Sequence, residues 1–208
     1  MSGVFEKGDY REPLPEFKEL GKKALKELSY FQDKFSSFDT DTTINSIRDT
    51  IVAEQLGFGL VNMNKHGFDA KRKESDEFLE VKQCGVSSKR WGGTWNDTNE
   101  EKARAFSSKR LFTAIAVWKG ASDLQFIVYG QNSKLGAYLL KRIRERKKGS
   151  RSTQNIEITK LLEWGFVIVV PPEYSKQEIT KQLLTYKKSL KKYIGPNTLK
   201  TLKEFFFR

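Results

Sequence analysis

Gly67-Phe68-Asp69-Ala70-Lys71-Arg72-Lys73-Glu74-Ser75-Asp76-Glu77-Phe78-Leu79-Glu80-Val81-Lys82-Gln83-Cys84 is the stretch whose reading decides how this chain folds. Two strand-like runs, 67–73 and 77–84, flank the polar turn Glu74-Ser75-Asp76. An antiparallel hairpin closed by a loop of two or four residues puts Asp69 directly across from Glu80. Opposed side chains share one face of a sheet, with Cβ atoms ~4.5–5.5 Å apart. Lys82, two residues past Glu80, projects from that same face, while Leu79 and Val81 project from the other into a core. A one-residue slip in register would undo the arrangement, so the pairing is the expectation to check.

Working outward, residues 16–32 have helical spacing (Phe17, Leu20, Ala24, Leu25, Leu28) after an irregular arm containing Pro13 and Pro15. A second helix near 44–56 gathers Ile44, Ile47, Ile51 and Val52 on one face, and Gly57 and Gly59 end it. A strand at 58–63 then precedes the hairpin. After it come a polar, glycine-containing segment over 85–99, a short helix from about 99 to 107, and strands at 111–118 and 124–129. A helix at 133–148 turns basic as it proceeds, a polar loop covers 149–155, and the apolar run 166–170 stops at Pro171-Pro172. Ser175-Lys176-Gln177-Glu178 is a capping box opening a lysine-rich helix to Tyr193, and Gly195-Pro196-Asn197 separates it from a last short helix. Strands alternating with helices in this way predict an α/β fold.

The chain has 208 residues, enough for one domain with a real core and few for two. We expect a single domain over 1–208, with its core at about 43–130 and a basic, largely helical part at about 131–208. No apolar run approaches the ~20 residues needed to cross a bilayer. The first residues carry no basic-then-apolar secretion signal, which points to an intracellular, cytoplasmic protein. One cysteine, Cys84, excludes an internal disulfide, and one histidine, His66, excludes a Cys/His zinc cage within one chain. Any metal must then be held by oxygen ligands, which favours Mg²⁺ or Mn²⁺.

Charge is unevenly placed. Residues 1–60 carry 8 Lys/Arg against 11 Asp/Glu, and residues 61–208 carry 30 against 15. That asymmetry suggests that the second part faces a polyanion, nucleic acid before any other; a solvated lysine-rich surface is the alternative.

Acid-x-Lys alone carries little, because the chain has five instances: Glu16–Lys18, Asp69–Lys71, Glu80–Lys82, Glu100–Lys102 and Glu145–Lys147. Three fall on helical or loop-like stretches, where alternate residues do not share a face. The hairpin singles out Glu80–Lys82. Two carboxylates held that close repel each other and tend to share a proton unless a cation relieves them. Octahedral Mg²⁺ takes one or two carboxylates and fills its remaining positions with water and phosphate. A purely ionic cross-strand network of Asp69, Lys71, Glu80 and Lys82 is the competing reading. Glu54 falls near the apolar stripe of the helix at 44–56, about 20° round from Ile47. It is therefore a candidate third acid, with a satisfied salt bridge as its alternative.

Phe68-Asp69 followed by Glu80-Val81-Lys82, with Glu54 on the preceding helix, resembles the PD-(D/E)XK nuclease superfamily, most closely the type II restriction endonucleases. The order helix, three strands, helix, strand over about 43–118 is similar to that family's core. The chain departs from the pattern in having Phe68 where proline is often found. The resemblance implies a central mixed β-sheet flanked by helices, a restriction-endonuclease-like core. It implies a prokaryotic, homodimeric, Mg²⁺-dependent enzyme that hydrolyses double-stranded DNA to leave 5′-phosphates. Asp69 and Glu80, with Glu54, would hold the metal, and Lys82 would orient water or stabilise developing charge.

DNA contacts are expected from two segments. Ser87 to Asp97 follows the Glu80–Lys82 strand and offers Lys89 and Arg90 for phosphate, Trp91 and Trp95 for packing, and Thr94 and Asn96 for base edges; Gly92-Gly93 allows close backbone approach. Residues 141–151 hold seven Lys/Arg against one Glu, so Arg144, Lys147 and Arg151 suit phosphate, and Gln154 or Asn155 beyond them suits adenine. Gln131-Asn132-Ser133 is a lesser candidate, and Gln83 suits either a phosphate contact or a strand-end role. A structure-specific, repair or homing nuclease, and a non-catalytic nucleic-acid-binding protein, remain alternatives.

Overall fold

The structure is a computed structural model that describes residues 15–35, 42–60, 68–96, 98–145 and 153–206. Helices α1 (Pro15–Phe35) and α2 (Thr42–Gln55) come first, followed by strands β1 (Gly59–Leu60), β2 (Ala70–Lys71), β3 (Phe78–Gly85) and β4 (Gly92–Trp95). Then come α3 (Glu100–Ala105), β5 (Leu111–Lys119), β6 (Asp123–Gly130), α4 (Ser133–Arg144), β7 (Gln154–Glu157) and α5 (Ile158–Glu163). The chain ends with β8 (Val167–Val170), α6 (Lys176–Tyr186), a 3₁₀ helix (Lys188–Tyr193), β9 (Leu199–Thr201) and α7 (Leu202–Phe206).

Seven strands form one mixed sheet in the order β1-β2-β3-β5-β6-β8-β9. Pairing is antiparallel except between β3 and β5 and between β8 and β9. The expected α/β architecture, a mixed sheet flanked by helices, is the one observed. The division drawn near residue 130 does not follow the sheet, because β8 and β9 extend it from the C-terminal part.

Alternation along the central strands builds a core on each face. In β5, Leu111, Ile115 and Val117 enter one cluster, and Ala114, Ala116 and Trp118 enter the other. The second cluster packs under α1 and α2 through Leu25, Ile51, Val52 and Leu56. The first is covered by α3 to α6 through Ala103, Leu139, Leu161 and Leu183. Burying a side chain of Leu or Ile size contributes roughly 1.5–3 kcal/mol, so these two layers dominate the stability of the fold.

Several sequence expectations change. The strand at 58–63 is described only as Gly59–Leu60, since 61–67 lie outside the described residues. The strand at 67–73 shortens to Ala70–Lys71, although Arg72 N–H still donates to Glu77 O (2.9 Å) and leaves a four-residue loop. The polar segment 85–99 is not all loop; it contains β4. The helix begun by the Ser175 capping box ends at Tyr186, where Lys187 is extended, and continues only as 3₁₀. β9 precedes the last short helix, where no strand was expected.

Candidate active site

β2 and β3 pair Ala70 with Leu79 and Lys71 with Phe78, and the paired positions end at Ala70, one residue short of Asp69. The regular ladder breaks there: Asp69 N–H donates to Leu79 O (3.0 Å), one residue off that register, so Asp69 sits at a bend beside Glu80 and not in the directly opposed position expected. Leu79 and Val81 enter the core beneath α1 and α2. Glu80 and Lys82 project from the opposite face, which is covered by β4 and α3.

Glu80 is almost fully buried, its side chain 3% exposed, and it carries two lysine partners. Lys82 Nζ lies 2.6 Å from Glu80 Oε1, and Lys102 Nζ, from α3, lies 3.4 Å from the same oxygen. Asp69 Oδ2 accepts from Val81 N–H at 2.7 Å, an edge donor of β3 that the short β2 does not reach. Each carboxylate therefore has one oxygen engaged and one, Asp69 Oδ1 and Glu80 Oε2, outside those contacts.

Burial sets the electrostatics of the group. Asp69 is pushed up to about 7, first by burial, then by the Glu80 and Asp49 carboxylates, against the pull of Lys82 and Val81 N–H. Burial also opposes ionisation of Glu80, but Lys82 and Lys102 outweigh it and hold that carboxyl below its ordinary value. For Lys82, burial works toward the neutral amine, and Glu80 and Asp69 overcome it and raise the lysine. The lysines thus favour the carboxylate form of Glu80, while burial and the neighbouring acids favour the protonated form of Asp69.

Glu54 does not join this group. It is exposed and pairs with Lys18 of α1. Ile47, the anchor used to place it, packs toward α1: a Cβ on Gly21 would lie 3.1 Å from Ile47 Cγ2. That side of α2 therefore faces a helix, not the sheet. Asp49 is the α2 acid that approaches β3; its Oδ1 accepts from Gln83 Nε2 at 2.5 Å, and its charge acts on Asp69 and Lys82. Gln83 also donates to Asn45 O (3.0 Å), which gives it a strand-end role tied to α2. Sequence reasoning missed Asp49 and Lys102. The Glu100–Lys102 pair was visible, but nothing in it announced that α3 would return over Glu80.

Among the described residues, no group of three or more His, Cys, Asp or Glu side chains is placed to hold a metal. A two-carboxylate site is what remains. The second oxygens of Asp69 and Glu80, outside the contacts above, suit a hard cation that completes its shell with water and phosphate.

The two segments from which the sequence led us to expect DNA contacts meet in space. β4 and β7 form a separate antiparallel ribbon in which Thr94 faces Asn155 and Trp95 faces Gln154. Thr94 Oγ1 donates to Asn155 Oδ1 at 2.6 Å. Arg142 Nε donates to Gln154 Oε1 at 3.3 Å, and Arg144 pairs with Glu100 at 3.5 Å. Lys89, Arg90 and Asn96 are exposed, while Lys147 and Arg151 lie outside the described residues. Trp91 and Trp95 are core residues, 2% and 1% exposed. Asn132 caps α4 by accepting from Lys134 N–H (2.9 Å), and Gln131 donates to Ser108 O (2.9 Å), so that segment is structural. No protein-family model and no curated protein matches the chain.

Proposed function

We propose that the chain is a Mg²⁺-dependent endonuclease of double-stranded DNA, of the sequence-specific type II restriction class. It would act as a homodimer in the cytoplasm of a prokaryotic cell. The reading rests above all on the Asp69 carboxylate held by Val81 N–H beside Glu80 and Lys82, inside a basic protein. Fold alone carries no function, so the weight falls on this trio.

Asp69 and Glu80 would hold the cation. When bound, the cation polarises the scissile phosphate and lowers the pKa of its water. Lys82 stays within hydrogen-bond reach of Glu80 and presents its ammonium group at the cluster, where it orients the attacking water or stabilises developing negative charge. Val81 N–H fixes the Asp69 carboxylate, so the ligand set is held in place before DNA arrives.

A non-catalytic DNA-binding protein is the second reading, favoured by Glu80 being already satisfied by two lysines. Sequencing the ends produced from mixed DNA incubated with the protein and Mg²⁺ separates the readings. Discrete ends with 5′-phosphates at one recurrent sequence support restriction; cuts only at branched or damaged DNA move the assignment to a repair class. Intact DNA despite binding supports the non-catalytic protein.

A further inference from the structure

The β4–β7 ribbon has two unlike faces. Trp95, Gly93 and Ile156 form the inner face and are buried. Thr94 and Asn155 form the outer face and are exposed; Asn96 and Thr153, just beyond the paired ends, are exposed too. Gly92 and Glu157 share that face by the same register, so the strip consists of uncharged hydrogen-bonding side chains with one acid, Glu157, at its end and no apolar residue. Cations flank it: Arg90 and Lys187 share Glu157 (3.8 and 3.2 Å), and Arg142 reaches Gln154.

Packing ties the strip to the Glu80–Lys82 cluster. A Cβ on Gly93 would lie 2.8 Å from Lys82 Cβ, and one on Gly92 would lie 2.3 Å from Ile156 O. The glycine pair lets β4 run directly over the Lys82 stem and against β7. Whatever the outer strip touches is thereby held at a fixed place relative to Lys82.

We infer that this ribbon enters the major groove of double-stranded DNA and that Asn155 reads an adenine there, with Thr94 as its positioning residue. The inference rests on the DNA reading proposed above and deepens it. A groove about 12 Å wide admits a two-stranded ribbon, and asparagine meets adenine N6 and N7 with one acceptor and one donor. Thr94 Oγ1 occupies one lone pair of Asn155 Oδ1, which fixes the amide plane. The second lone pair remains for adenine N6–H and Nδ2 for N7. The flanking cations supply phosphate contacts that carry no sequence information.

The test selects duplexes from a randomised double-stranded DNA library with the full chain in Ca²⁺ and compares wild type, Asn155→Ala, Thr94→Val, Thr94→Ser and Arg90→Ala. Wild type should enrich a motif with a required adenine. Asn155→Ala should lose that preference by roughly 10-fold to 100-fold, Thr94→Val should weaken it, and Thr94→Ser should restore it. Replacing that adenine by 7-deazaadenine should weaken wild type and leave Asn155→Ala unaffected. Arg90→Ala should lower binding to all sequences alike. A motif retained unchanged by Asn155→Ala and Thr94→Val overturns the ribbon assignment and leaves the DNA reading standing. Failure of wild type to bind any duplex overturns both.

Discussion

Gly93 lies against Lys82 with no room for a methyl group: a Cβ at position 93 would meet Lys82 Cβ at 2.8 Å and Cγ at 2.9 Å. The ribbon and the charged cluster are thus one packed unit. Gly93→Ala must push β4 away or displace the lysine stem, which costs about 1–3 kcal/mol. Denaturant unfolding should show that loss. Cleavage by the folded variant should fall further than its DNA affinity, because Lys82 moves.

Glu80 and its lysines differ in what their removal costs. Glu80→Gln leaves Lys82 and Lys102 without their shared carboxylate, and breaking a buried pair costs about 3–5 kcal/mol, an upper figure because both lysines keep some solvent contact. Lys102→Ala leaves Glu80 paired with Lys82 and should cost no more than about 1 kcal/mol. Equal losses in chemical denaturation would contradict this ranking.

Asp69 makes the metal-free protein sensitive to pH. Its folded value of about 7 lies above the ordinary 3.8, so the folded state holds the proton more tightly than the unfolded chain. That contribution is fully present below the ordinary carboxylate value and is lost as pH rises through about 7. In EDTA, the Asp69 contribution to wild-type stability should therefore decline between about pH 4 and pH 7 and level off above it, and Asp69→Asn should flatten that decline. Parallel profiles would remove Asp69 as its source.

Glu54 and Asp49 give opposite expectations. Glu54→Gln should leave cleavage unchanged and cost no more than about 1 kcal/mol, as for an exposed ion pair. Asp49→Asn removes a charge felt by Asp69 and Lys82 and should shift the pH at which cleavage reaches half its maximum downward, since Asp49 raises Asp69. A Glu54→Gln enzyme without activity would restore that residue to the site.

The hairpin was legible because a strand has period two: Leu79 and Val81 needed a core, and that fixed where Glu80 and Lys82 point. The strands β5 and β6 were legible for another reason, as short apolar runs buried on both faces and joined by a glycine-containing turn. Glu54 was misplaced because Ile47 looked like part of the sheet-facing stripe, whereas it packs on Gly21 of α1; single-helix periodicity does not say which neighbour a face meets. The ribbon was hidden for a different reason. Gly92-Gly93 and Gln154-Asn155 have poor strand propensity, and only their mutual pairing, sixty residues apart in the chain, makes them strands. Lys102 depended on α3 folding back over β3, a tertiary contact with no local signature.

The central claim, that Asp69, Glu80 and Lys82 form a hydrolytic site, is tested most directly by incubating supercoiled plasmid with purified wild type, Asp69→Asn and Lys82→Ala in Mg²⁺, with DNA affinity measured in Ca²⁺. Wild type should yield discrete linear fragments that EDTA abolishes, and both variants should bind within a few-fold of wild type while leaving the plasmid intact. Wild-type protein that binds but never cuts, or variants that cut as well as wild type, would contradict the account.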